Sequence, residues 1–142
     1  MLDDWLRQRA WNNQQAAASR TYVMCPVGSR LIVGYYALNM GQILAIGSMR
    51  RNMPHAIPAV VLGRLAIDLA WQGKGLGQGL LADVLRRSIR ASAEVSARLV
   101  IVHAISPAAE EFYLHHGFTR LPVDAPLFAF DLVKFQKTKG RE

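Results

Sequence analysis

Four glycines that alternate with other residues constrain this chain more than any other feature of its sequence. They follow a mostly apolar segment, residues 60–69, and precede a segment that has helical apolar periodicity to about Ala93. Glycine lets backbone amides approach an oxyanion closely, and the N-terminus of a helix adds partial positive charge. The sequence therefore predicts a strand, an anion-binding turn and a helix. The glycines are Gly73, Gly75, Gly77 and Gly79.

Two familiar phosphate-binding motifs do not fit this turn. A Walker A loop needs Lys-Ser or Lys-Thr after its last glycine, but Lys74 is followed by Gly75. A dinucleotide fingerprint can be placed on Gly77-x-Gly79-x-x-Ala82, but the next predicted strand ends without an acidic residue for a ribose. The alternative is a tight turn without a ligand, although four glycines in seven residues exceed what a turn needs.

The other segments predict an α/β domain with a mixed, twisted sheet flanked by helices, because strand–helix–strand crossovers imply a parallel pair. The first helix carries Trp5, Leu6, Ala10 and Trp11 as its apolar residues. The predicted order is a helix over residues 3–18, strands over 21–25 and 31–38, a polar break at 50–58, a strand over 60–69, the glycine turn, a helix to 93, a strand over 99–104, a helix over 107–116 capped by Ser106, and closing strands at 118 and 127–133.

Length and composition indicate one basic globular domain. The chain has 142 residues, 51% of them hydrophobic, and a formal net charge of +7. We expect one domain over residues 1–133 and a basic tail over residues 134–142. A single cysteine, Cys25, excludes an internal disulfide and a cysteine-based zinc site. The acidic start is unlike a signal peptide and no apolar run could span a bilayer, so a cytoplasmic protein without membrane contact is expected.

Two segments together resemble the GNAT N-acetyltransferase superfamily. Gln72-x-x-Gly75-x-Gly77 matches the Arg/Gln-x-x-Gly-x-Gly/Ala signature that holds the pyrophosphate of acetyl-coenzyme A in that family. Ala109-x-x-Phe112-Tyr113-x-x-x-Gly117-Phe118 matches a second family segment, and the helix and strand between the two also agree. The resemblance implies the GNAT fold and an acetyl-coenzyme A-dependent acyltransferase. His115 and His116 are adjacent and so point to different helix faces, and we expect no metal.

Three further segments resemble the GNAT toxins of type II toxin–antitoxin modules. They are the opening residues 2–6, the loop 50–54 and the strand residues 63–68. Such toxins acetylate the amino group of aminoacyl-tRNA and so inhibit translation. The resemblance also implies a homodimer, a ribbon-helix-helix antitoxin, and operator DNA bound through the antitoxin complex. Family members carry a first strand and helix ahead of these residues, and here we expect both to be missing or shortened.

The resemblance assigns site residues in this numbering. Tyr113 would be the general acid that protonates the departing thiolate, and the alternative for it is a core tyrosine on an apolar helix face. Ser106 stands where many members place an asparagine that bonds the pantetheine. No residue is an obvious general base. The residues expected to bind acetyl-coenzyme A are Leu65, Ala66, Ile67, Gln72, Gly73, Lys74, Gly75, Leu76, Gly77, Ser106 and Phe112.

The basic residues indicate which molecule accepts the acetyl group. Phosphate contacts supply most nonspecific affinity for nucleic acid, so the net charge of +7 favours tRNA together with the resemblance. Two other functions stay open. One is N-acetylation of a protein N-terminus, a lysine or a small amine, and the other is a catalytically inactive module that binds operator DNA with an antitoxin. The residues expected to bind tRNA are Arg50, Arg51, Asn52, Arg86 and Arg87.

Overall fold

The computed structural model describes residues 2–15, 18–45 and 55–134. Two helices are followed by three strands, and helices and strands then alternate until two closing strands; a 3-10 turn at Leu69–Trp71 precedes the longest described helix. The helices and strands are α1 (Leu2–Gln8), α2 (Ala10–Gln15), β1 (Arg20–Met24), β2 (Gly34–Leu44), β3 (Ala56–Ile67), α3 (Leu76–Glu94), β4 (Leu99–His103), α4 (Pro107–His115), β5 (Thr119–Arg120) and β6 (Leu127–Asp131).

The six strands form a sheet in the order β1-β2-β3-β4-β6-β5. β1 and β2 pair antiparallel with Tyr22 opposite Tyr36, and β4 and β6 pair antiparallel with Ile101 opposite Ala129. The neighbours β3 and β4 are joined by α3, a crossover of the kind that connects parallel strands. The predicted mixed sheet flanked by helices is therefore confirmed.

The chain divides into two compact units. The first unit comprises residues 1–39 and 62–87, and the second comprises residues 40–61 and 88–142. Each unit has a core of its own. In the first, the rings of Trp5 and Tyr35 stack with centroids 5.9 Å apart, and Ala10, Ala37, Leu6 and Ala66 pack around them. In the second, the buried core consists of Ala45, Ile57, Ala59, Leu99, Ile101, Leu121 and Ala129.

The N-terminal segment differs from the single helix expected over residues 3–18. Two short helices meet at Arg9, whose amide donates to the Trp5 carbonyl over 2.8 Å while its own carbonyl accepts from Asn13 over 2.9 Å. Trp5 and Ala10 are buried as expected, but 66% of the Trp11 surface is exposed. The helical bonds continue across Arg9, and six residues at about 100° each place Trp11 about 120° around the helix from Trp5. Trp5 therefore faces the core while Trp11 faces water.

The polar break expected at residues 50–58 ends earlier than predicted. β3 begins at Ala56, so Pro58 lies inside a strand. Its carbonyl accepts from the Arg98 amide over 2.8 Å, and a proline lacks only the donor of the ladder, not the acceptor. Residues 46–54, which include most of this segment, lie outside the described residues.

Candidate functional site

The glycine turn is an open backbone loop at the start of α3. Gly73 and Gly75 have φ angles of 79° and 78°, in the left-handed region that favours glycine. A Cβ built on either glycine would meet nothing within 4 Å, so packing does not require glycine there; the backbone conformation does. The first intrahelical bond runs from the Gly79 amide to the Gly75 carbonyl over 3.3 Å. The first amides of a helix have no intrahelical acceptor, which leaves them available to an anion.

Side chains on either side of the turn hold it in place. Asp68 caps the 3-10 turn by accepting from the Ala70 amide over 2.9 Å, and the Gln72 side chain donates to the Ile67 carbonyl over 3.1 Å. Gln72 therefore ties the turn to the end of β3. The Lys74 ammonium lies 4.8 Å from the centroid of the Trp71 ring, and Lys74 is exposed. The turn thus keeps one full positive charge beside its open amides.

The end of β3, predicted to contact the pantetheine arm, is half-buried. Ala66 packs against the core of the first unit, and the Asp68 amide just beyond the strand donates to the Val33 carbonyl over 2.8 Å. A Cβ on Gly34 would lie 2.7 Å from the Ile67 side chain and 3.2 Å from the Ala66 carbonyl oxygen. A side chain at position 34 would therefore collide with this end of β3. Leu65, in the same strand, is half-buried.

Helix α4 carries the predicted acid. The Ser106 hydroxyl accepts from the Ala109 amide over 3.1 Å, and Pro107 occupies the first helical position, so the predicted cap is confirmed. Tyr113 is 6% exposed, and its ring contacts Phe112 and Phe118 with centroids 5.3 Å away in each case. Burial raises the pKa of Tyr113 to about 12. The phenol is consequently protonated at neutral pH, as a proton donor must be.

The residues after Tyr113 explain the spacing of the second motif. α4 ends at His115, and Gly117 follows in the left-handed region with a φ of 92°. A Cβ on Gly117 would also lie 3.2 Å from the Phe130 ring. The chain reverses there, the Phe118 amide donates to the Tyr113 carbonyl over 3.0 Å, and the Phe118 ring packs on Tyr113. The Gly-Phe pair therefore fixes the tyrosine that precedes it.

The predicted tRNA-binding residues fall into two groups. Arg50, Arg51 and Asn52 lie outside the described residues. Arg86 and Arg87 both bind Asp83, with nitrogen–oxygen distances of 3.0 and 3.2 Å. Burial alone would raise the pKa of Asp83, but hydrogen bonds from Tyr36, Arg86 and Arg87 outweigh it and lower the pKa. One ionised carboxylate thus neutralises one of the two positive charges of these arginines.

Sequence reasoning missed the cluster to which Arg87 belongs. Its Nε donates to the Tyr36 hydroxyl over 2.8 Å, and the same hydroxyl donates to Asp83. The Arg87 guanidinium also lies 3.9 Å from the centroid of the Tyr22 ring, which stacks on Tyr36. Burial, followed by the bond to Asp83, raises the pKa of Tyr36. The spacing of Asp83 from Arg86 and Arg87, three and four residues, was the signal available in the sequence.

Among residues 2–15, 18–45 and 55–134, no three His, Cys, Asp or Glu side chains are grouped so that they could hold a metal ion. No helix of these ranges combines the length and the apolar character that crossing a bilayer requires.

Comparison with known proteins identifies the family. The Acetyltransferase (GNAT) domain family matches residues 7–138. A curated protein named tRNA-acetylating toxin, from Mycobacterium tuberculosis (strain ATCC 25618 / H37Rv), is 42% identical over 136 residues, which are 94% of this chain and 80% of that protein.

Two solved structures are similar in fold. AtaT complexed with acetyl-methionyl-tRNAfMet has a TM-score of 0.89 and 27% identity, with 97% of this chain and 85% of that chain covered. A tyrosine-to-phenylalanine variant of the AtaT toxin, bound to the C-terminus of the antitoxin AtaR and acetyl-CoA, has a TM-score of 0.81 and 27% identity, with coverages of 96% and 82%.

These matches confirm the predicted GNAT fold, the predicted acetyl-coenzyme A-dependent N-acetyltransferase and the predicted resemblance to toxins that act on tRNA. The roles of individual residues in the turn and in α4 stay predictions. By its sequence over residues 7–138, the chain belongs to the GNAT acetyltransferase family.

Proposed function

We propose that this protein transfers the acetyl group of acetyl-coenzyme A to the amino group of aminoacyl-tRNA and thereby inhibits translation. The observation that carries the proposal is the 42% identity with a tRNA-acetylating toxin over nearly the whole chain. The open turn with Gly73 and Gly75 supports the donor, because the open space beside both glycines gives an anion access to the backbone amides at the start of α3.

The turn and the end of β3 have binding and orienting roles in this proposal. First-turn amides of α3 and the Lys74 ammonium bind the pyrophosphate, a site that combines backbone donors with one full charge. Backbone groups of Leu65, Ala66 and Ile67 orient the pantetheine arm, and one amide polarises the thioester carbonyl. The Ile67 carbonyl is already bonded to Gln72, so this strand has fewer free acceptors than the sequence alone indicates.

Tyr113 has the proton-transfer role. The neutral amine attacks the thioester carbon, a C–N bond forms, the C–S bond breaks, and Tyr113 protonates the departing sulfur. The amine gives up a proton, which restores the phenol through water. A phenol pKa of about 12 against a thiol pKa of about 8.5 makes complete transfer unfavourable by roughly 5 kcal/mol at 1.36 kcal/mol per unit. Tyr113 therefore donates in concert with C–S cleavage, so that collapse of the tetrahedral intermediate offsets this cost.

The proposed partners extend this reaction. We propose that Arg50, Arg51 and Asn52 contact tRNA phosphates, and that Arg86 and Arg87 contribute less because Asp83 binds both. By resemblance to toxin–antitoxin modules, we also propose a homodimer, a ribbon-helix-helix antitoxin, operator DNA bound through the antitoxin complex, and action in the cytoplasm. The similarity to an AtaT variant bound to the C-terminus of the antitoxin AtaR supports an antitoxin.

A salt titration of tRNA affinity tests the acceptor. Arg50→Ala with Arg51→Ala should weaken tRNA binding, leave acetyl-coenzyme A binding unchanged, and flatten the slope of log affinity against log salt by roughly 0.7–0.9 per lost contact. Arg86→Ala with Arg87→Ala is the matched comparison, because it also removes two cations, but ones already bound to Asp83, and it should flatten the slope less. Identical slopes and identical rates of aminoacyl-tRNA acetylation in wild type and double variant would remove Arg50 and Arg51 from the site.

A further inference from the structure

An exposed tryptophan on α2 has no role in folding that the structure shows. Trp11 exposes 66% of its surface, whereas Trp5 of the same segment exposes 9% and stacks on Tyr35. A large aromatic ring left in water gives up the burial that stabilises a fold. Singly exposed apolar residues are common, but large aromatic rings are enriched where a surface contacts a partner.

The described side chains around this ring are polar and basic. Arg7, Gln8 and Asn12 are exposed, and Arg7 precedes Trp11 by four residues. The amide of Arg9 donates to the Trp5 carbonyl, so the chain keeps its helical turn across the junction of α1 and α2. Residues four apart then lie on the same side of the element. We call Arg7, Gln8, Trp11 and Asn12 the Trp11 face.

The positive charge at the Trp11 face is not neutralised by a described carboxylate. No ion pair joins Arg7 or Arg9 to an acidic side chain whose position the structure gives. Arg86 and Arg87 differ, because Asp83 binds both. A guanidinium beside an open aromatic ring suits a nucleotide, since a base stacks on the ring and the cation binds the phosphate.

We propose that the Trp11 face binds an unpaired nucleotide of the acceptor RNA, with the base stacked on Trp11 and a neighbouring phosphate bound by Arg7. The proposal rests on the proposed function, in which the acceptor is aminoacyl-tRNA. Proteins recognise RNA chiefly at single-stranded ends and loops, where bases are free to stack on aromatic side chains. Every charged tRNA has such an end, and the same chemistry exists in its loops.

Substitutions of Trp11 test the stacking. Trp11→Leu keeps an apolar side chain without an aromatic face, and Trp11→Phe keeps a smaller face. Trp11→Leu should weaken binding of deacylated tRNA by roughly 5- to 150-fold, the range that stacking of one base is worth, and Trp11→Phe should recover most of it. Both variants should melt at the wild-type temperature, because the exposed ring contributes little to the core.

Two further experiments test the charge of Arg7 and the part of the tRNA that supplies the nucleotide. Arg7→Gln should weaken tRNA binding and flatten its salt slope by roughly 0.7–0.9, while Arg30→Gln, an equal charge change at another exposed arginine, should do neither. Binding that is lost on removing the unpaired 3′ nucleotides of the tRNA assigns the 3′ end. Binding that survives their removal, but still depends on Trp11, assigns a loop.

The decisive measurement compares the tRNA dissociation constant with turnover of a free amino-acid ester. We expect Trp11→Leu to raise the tRNA dissociation constant and to leave turnover of the free ester unchanged. Wild-type tRNA affinity in Trp11→Leu overturns the proposal. If that variant also forms a smaller oligomer than wild type, Trp11 contacts another protein chain and not RNA. If wild type binds tRNA through Trp11 but acetylates no aminoacyl-tRNA, the proposed function fails while the Trp11 face stands. If Trp11→Leu binds and acetylates aminoacyl-tRNA as wild type does, the Trp11 face fails while the proposed function stands.

Discussion

The turn between β3 and α3 is an open stretch of backbone, whereas the proposed acid of α4 is a single packed side chain. Gly73 and Gly75 adopt positive φ angles and leave open space where side chains would be. Tyr113 is buried between Phe112 and Phe118, and the reversal at Gly117 fixes it. A backbone site depends on conformation and tolerates few side chains, while a packed side chain depends on its neighbours. The two regions should therefore respond differently to substitution.

The largest effect is expected in the turn. Gly75→Asp places a carboxylate at the start of α3, where it repels the pyrophosphate, and puts a Cβ where φ is 78°. Binding of acetyl-coenzyme A should become undetectable by calorimetry. Gly28→Asp is a matched control, since Gly28 also has a φ of 78° and open space but lies in the β1–β2 hairpin. Equal loss of binding in both variants would mean that backbone strain, and not the anion site, explains the result.

The next largest effect is expected in α4, where a substitution should slow acetyl transfer without changing acetyl-coenzyme A binding. Tyr113→Phe removes one hydroxyl from a packed ring, so acetyl-coenzyme A affinity should stay unchanged while single-turnover acetyl transfer slows by about 10²–10⁴-fold, the usual value of general acid catalysis. Tyr22→Phe controls for loss of a phenol hydroxyl in the other unit. A rate for Tyr113→Phe within about threefold of wild type would exclude the acid role and leave a core tyrosine.

The pH dependence of the free energy of unfolding should show whether the Tyr113 phenol is buried. The folded-state pKa of Tyr113 is about 12 against an ordinary value of 10.0, so the neutral ring stabilises the fold fully below pH 10 and less as pH rises towards 12. At pH 11 the loss should be about 1.4 kcal/mol. Urea unfolding of wild type and Tyr113→Phe at pH 8 and pH 11 measures it. A constant difference between the two proteins would place the phenol in water.

The smallest effect is expected at the cap of α4. Ser106→Ala should reduce the free energy of unfolding by about 1 kcal/mol, because the Ala109 amide loses its acceptor. Ser106→Thr keeps a hydroxyl and should restore most of the stability. If Ser106 also bonds the pantetheine arm, Ser106→Ala will raise the KM for acetyl-coenzyme A as well. An unchanged KM would limit Ser106 to capping.

The sequence predicted best what glycines and caps encode locally. The alternating glycines located the turn, and Ser106-Pro107 located the start of α4, because each depends on a few adjacent residues. The function of Tyr113 came from resemblance, since an apolar helix face gives the same pattern for a core tyrosine and for an acid.

Contacts between distant residues were not predictable. Tyr36 and Asp83 are 47 positions apart in sequence, and only the fold brings their side chains together. Trp5 and Trp11 were both expected on the apolar face of the first helix, but Trp5 stacks on Tyr35 of β2 while Trp11 lies about 120° around the helix and is exposed. In each case the deciding contact is tertiary, and a pattern of apolar and polar residues does not encode it.

The most direct test of the proposed function is acetyl transfer itself. Wild-type protein is incubated with labelled acetyl-coenzyme A and total charged tRNA, and the labelled species is released from the tRNA by base and identified. The account predicts that the label leaves the tRNA as an N-acetyl amino acid, and that Gly75→Asp and Tyr113→Phe greatly reduce it. Label found only on protein or on a small amine, with charged tRNA unmodified, would contradict the account.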